Sequence, residues 1–107
     1  MSNLDFTISC TVTFFSKKMT NLPNLNNGRY SPQIVIKDTK EPLAVNFIDG
    51  EDVIFDQPIR ANALPVNENL DYSSLQVGTE FFVMEGSVIV GAGLVKEIFQ
   101  HEPHKKK

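Results

Sequence analysis

Apolar and polar residues alternate at the start of the chain, where Phe6, Ile8, Cys10, Val12 and Phe14 are separated by Thr7, Ser9, Thr11 and Thr13. A period of two sends one set into a core and the other toward water, so the spacing predicts a strand. Residues 17–31 lose all periodicity and carry Pro23, Asn24, Asn26, Asn27 and Gly28, the composition of a long exposed loop. Loops of that length in a small domain are a frequent seat of function. Residues 33–37 and 43–48 read as short strands with Glu41-Pro42 as the turn between them. Asp49-Gly50, flanked by β-forming residues, carries the strongest hairpin signal in the chain. The next strand is predicted from Asp52 into Arg60, with Pro58 marking an edge position or a bulge because proline cannot donate to a ladder. Residues 67–77 are polar and leave room for one helical turn at 70–75, and no amphipathic pattern of helix length occurs anywhere. A final hairpin pairs residues 79–85 with 88–98 around Gly86-Ser87.

The class is therefore all-β, with about six strands that either close into a barrel or split into two packed sheets; periodicity leaves both open. The expected core contains Phe6, Ile8, Val12, Phe14, Ile34, Ile36, Val83 and Val95. A chain of 107 residues with 41% hydrophobic and 21% charged residues is the size and make-up of one globular domain. We expect that domain to span residues 1–99, followed by a flexible basic tail at 100–107.

Charge and candidate chemistry narrow the function. Ten basic against thirteen acidic residues give a formal charge of −3, the wrong sign for a general nucleic-acid binder. Lys17-Lys18 and Lys105-Lys106-Lys107 read as solvated ends. A single cysteine excludes an intramolecular disulfide, and Cys10 falls on the apolar face of the first strand, the position of a core thiol. The sequence shows no targeting segment and no apolar run that would cross a bilayer, so a cytoplasmic location without membrane contact is expected. Gly91-Ala92-Gly93 lacks the following helix that a nucleotide loop needs and reads instead as a site of close backbone approach. His101 and His104 flank Pro103 without a third ligand, so no metal is expected. The carboxylate pairs Asp38/Glu41 and Glu51/Asp52 fall at turns. With no catalytic constellation and no cofactor fingerprint, the expectation is a non-enzymatic protein that uses no cofactor.

The segment from Glu80 to Ile98, Glu-Phe-Phe-Val-Met-Glu-Gly-Ser-Val-Ile-Val-Gly-Ala-Gly-Leu-Val-Lys-Glu-Ile, resembles the closing hairpin of the C-terminal domain of the elongation factor Tu family. There a strand ends in Glu-Gly, turns, and returns through Val-Gly-Ala-Gly-Val-Val. Gly28-Arg29-Tyr30-Ser31-Pro32-Gln33-Ile34 is similar to the start of a strand that reads Gly-Tyr-Arg-Pro-Gln-Phe in that family. The resemblance runs from Phe6 to Ile98 and implies a six-stranded antiparallel β-barrel standing alone, without a GTPase domain. It implies partner-binding positions at Gln33, Glu85 and Gly86, where the family contacts the T-stem of tRNA, with Arg29 and Tyr30 beside them. Ser31 replaces an arginine of the family site, Pro42 stands near a threonine contact, and the family's Glu-Gly-Gly-Arg-Thr turn is shortened to Glu85-Gly86-Ser87. With both arginines gone and a net acidic chain, the expected partner is a protein of or near the translation apparatus, with tRNA or other RNA bound weakly. The surface that packs against neighbouring domains in the family is expected to be polar here or reused in a homo-oligomer. A different class fits the acidic chain as well: a small immunity-type interaction protein that neutralises a toxin.

Overall fold

The computed structural model describes residues 5–101. Strands form where the alternation is strongest: β1 (Phe6–Phe14), β2 (Gln33–Ile36), β3 (Pro42–Gly50), β4 (Ile59–Pro65), β5 (Glu80–Glu85) and β6 (Val88–Gln100). All neighbours are antiparallel, and the order β1-β4-β3-β2-β5-β6 closes on itself because β1 pairs with β6. The class and the six-stranded barrel expected from the sequence are those observed, and closure leaves none of the described strands with an unpaired edge.

The interior is filled by side chains. Phe14, Phe47, Phe81, Ile8, Leu43, Val45 and Val83 are almost wholly inaccessible, and every expected core residue is buried. Each such side chain contributes about 1.5–3 kcal/mol by leaving water. Two tyrosines close the ends. Tyr30 packs against Phe14 and stacks on Phe47, while Tyr72 meets Phe6 edge-on at the opposite end of β1. Three register shifts, at Ser9/Cys10 against β6, at Phe47/Asp49 against β4 and at Val83/Met84 against β6, bend the strands. Such bulges increase local twist and help a short sheet curl shut. The outer face is not uniformly polar, since Val35, Phe82 and Ala92 occupy one outward row across β2, β5 and β6.

Several connections differ from the sequence reading. Asp49-Gly50 is not a turn: both residues lie in β3, opposite Asn62 and Ala61. A Cβ on Gly50 would sit 2.8 Å from Leu25 Cδ1 and 3.1 Å from Ala61 Cβ, so this glycine makes room for packing. The hairpin between β3 and β4 turns instead through residues 51–58, and the strand predicted from Asp52 begins only at Ile59. Pro58 therefore ends a connection and marks no edge. The turn between β2 and β3 covers residues 37–40, where Lys40 takes a positive φ of 61°, and Pro42 already belongs to β3. No helical turn forms at 70–75; that stretch is anchored by buried Tyr72 and Leu75, with the Tyr72 hydroxyl donating to Ala44 O. The connection at 17–31 is not wholly exposed, because Leu25 is only 2% accessible. β6 pairs through Gln100, opposite Phe6, and His101 N–H donates to Asp5 O at 2.7 Å, so ordered pairing passes the expected boundary at residue 99. His104 and Lys105-Lys106-Lys107 lie outside the described residues.

Candidate functional site

The asparagines and glycine of the 17–31 connection set up its far end. Asn24 Oδ1 accepts from the Asn26 N–H at 2.8 Å and Asn27 Oδ1 from the Arg29 N–H at 3.0 Å, two side-chain-closed turns of the kind asparagine favours. Gly28, at a φ of 72°, is the central residue of the second turn. Residues 30–32 then run alongside β3: Phe47 N–H donates to Tyr30 O at 2.9 Å, Val45 N–H to Pro32 O at 3.2 Å, and the Ser31 hydroxyl to Val45 O at 2.8 Å. This pins the segment where β2 begins. Gln33 is paired with Met84 of β5, one residue before the Glu85-Gly86 turn.

The result is one open groove of about 460 Å³, formed by residues 30–33 on one side and 84–86 on the other. It brings together four of the five residues expected at the site: Tyr30, Gln33, Glu85 and Gly86. Arg29 is exposed and does not line it. The groove adds Pro32 and Met84, which form its apolar part, and Ser31. Met84 carried no signal of its own in the sequence, because its place beside Gln33 follows only from the β2–β5 register.

The Tyr30 hydroxyl donates to Glu85 Oε2 at 2.7 Å. Burial of the ring pushes the phenol well above its usual range, and the hydrogen bond to Glu85 and the negative charge of that carboxylate push it further in the same direction. The phenol therefore stays protonated and the carboxylate is its acceptor. Glu85 has no ion-pair partner among the described residues, where the ion pairs are Lys37 with Glu80 at 3.2 Å and Arg60 with Glu51 at 3.8 Å. Both of those pairs line other grooves, of about 440 and 340 Å³, where the cation stands among two carboxylates, Asp38 and Glu80 in one and Asp49 and Glu51 in the other. Among the described residues, the groove at Glu85 is lined by one negative charge and no cation.

The described residues contain no group of three potential metal ligands and no helix long and apolar enough to cross a membrane. Cys10 is buried in the core, where desolvation pushes its thiol up to about 12. No known protein family matches the chain by sequence, and no curated protein is similar enough to count as a relative. The groove presents a carboxylate held by Tyr30, a carboxamide, an apolar part and a turn glycine open to solvent.

Proposed function

We propose that this chain is a non-enzymatic binding module whose groove at residues 30–33 and 84–86 takes a protein partner of or near the translation apparatus. The supporting observation is the convergence of Gln33, Glu85, Gly86 and Tyr30 on one open groove, from segments about fifty residues apart in the chain. The assignment to translation rests on the resemblance of the β5–β6 hairpin and the 28–34 segment to the elongation factor Tu barrel. A nucleic-acid backbone is the weaker ligand, because a phosphodiester approaching this groove meets an uncompensated carboxylate and no arginine. The formal charge of −3 also favours a second reading, an immunity-type protein that covers a basic toxin.

The test compares the wild-type chain with Glu85→Ala and Gln33→Ala. We expect an identified protein partner to be retained by the wild type and lost with Glu85→Ala, while fluorescence anisotropy with tRNA at low salt shows binding that is weak and indifferent to both substitutions. Tight tRNA binding that weakens with salt and depends on Glu85 and Gln33 would overturn the assignment.

A further inference from the structure

The groove has a charge pattern that specifies what its partner must present. Tyr30 holds Glu85 through Oε2, and among the described residues no hydrogen bond reaches Oε1. The carboxylate is thus oriented by a phenol fixed between Phe14 and Phe47, yet keeps a free acceptor. The Gln33 side chain, also exposed and without an intramolecular partner among the described residues, supplies a second acceptor along the same groove. Half-buried Met84 pairs with Gln33 and precedes Glu85 in β5, and it lines the groove together with Pro32, which is largely buried. Gly86 has a φ of 61° and nothing within 4 Å of where a Cβ would stand, so the turn leaves the approach clear.

We propose that this groove receives an arginine side chain of the protein partner, with the guanidinium on Glu85 and its aliphatic stem over Met84. The inference rests on the reading of the groove as a protein-binding site. A lone carboxylate in a groove without a cation favours a positive ligand and repels a phosphodiester. A guanidinium offers a planar fork of donors that two separate acceptors can share, whereas an ammonium is a compact, strongly hydrated point charge. The three-carbon stem of arginine covers apolar surface while its head stays at the polar rim. The grooves at Glu80 and Glu51 differ in that each already contains a cation, Lys37 or Arg60, beside its carboxylates.

The experiment titrates the full-length ¹⁵N-labelled chain with four blocked tripeptides, acetyl-Gly-X-Gly-amide, in which X is arginine, lysine, citrulline or glutamate. An RNA hairpin copying a tRNA acceptor arm is titrated in parallel. The arginine peptide is expected to shift the amides of Gln33, Met84 and Gly86, to bind about tenfold more tightly than its neutral citrulline counterpart, and to weaken as salt rises. Glu85→Gln, on an exposed turn flank, should bring the arginine and citrulline peptides level. The salt series on the wild type tests the same charge dependence without any variant. Equal binding of citrulline and arginine at these amides would overturn the arginine inference and leave the protein-binding reading standing. So would silence from all four peptides. Shifts at the same amides from the RNA hairpin alone would overturn both.

Discussion

Gly93 faces Phe81 across the β5–β6 register, and a Cβ there would collide with the Phe81 ring at Cζ and lie 2.6 Å from Thr11 O. A Cβ on Gly91 would likewise lie 2.5 Å from Thr13 O. The small residues of the last strand thus let β6 lie close against both of its neighbours, and the ring of Phe81 fills the space a side chain would take. Gly93→Ala is expected to destabilise the fold by about 1–3 kcal/mol, the usual cost of overpacking a filled core. Urea denaturation measures it, and part of the loss should be recovered in the double variant with Phe81→Leu, because the two positions touch. Full additivity of the two substitutions would show that the clash is relieved elsewhere. The sequence already assigned these glycines to close approach, since no helix follows them, and placed Cys10 in the core by its position in the alternation. It could not supply the partner of each glycine, which depends on register.

Connections, more than strands, separate expectation from structure at the scale of elements. Asp49-Gly50 has the composition of a hairpin turn, yet Asn26 reaches across and uses its side-chain amide to accept from Gly50 N–H at 3.1 Å and donate to Gly50 O at 3.0 Å. That amide stands in for a strand neighbour, a role that a local reading of residues 49–50 cannot reveal. The 51–58 hairpin loop is fastened in a similar way: Asp56, at a φ of 66°, accepts from the Ser16 hydroxyl at 2.6 Å and the Ser16 N–H at 3.1 Å. These hydrogen bonds hold the Asp56 carboxyl below its ordinary value of 3.8. A carboxyl depressed in the folded state stabilises the fold above its unfolded value, and that contribution is lost as pH falls from about 3.8 through the lower folded value. Asp56→Asn keeps a residue that tolerates positive φ. Its melting temperature should fall below that of the wild type at neutral pH, with the gap closing in acid. A gap that stays constant with pH would mean that the charge of Asp56 contributes nothing.

Closure governs the molecule as a whole. β1 pairs with β4 and β6, partners that lie far along the chain, so the first strand is complete only when the last has arrived. Barrels dominated by such distant pairings fold slowly and tend to unfold as one unit. The chain has no tryptophan and two tyrosines, which sit at opposite ends of the barrel, so tyrosine fluorescence samples both ends at once. Urea transitions followed by tyrosine fluorescence and by far-ultraviolet circular dichroism should coincide, and those of Tyr30→Phe and Tyr72→Phe should each remain single. Two resolved transitions, one for each end, would show that the barrel opens in parts.

The alternation from Phe6 to Phe14, the short apolar run at 33–37 and the Gly86-Ser87 hairpin are local signals, each written in adjacent residues, and they determined the class, the strands flanking the candidate site and part of the core. The groove is different in kind. Gln33 and Glu85 are 52 positions apart, and nothing in their neighbours draws them together; only the resemblance of both segments to one family's barrel singled them out from sequence. The pairing of Gln33 with Met84 and the Tyr30 bond to Glu85 bring them to one groove, where no described cation lines the wall beside that carboxylate. Those are consequences of register and closure, which depend on the whole chain packing at once, as does the displacement of a turn from Asp49-Gly50 by the side chain of Asn26.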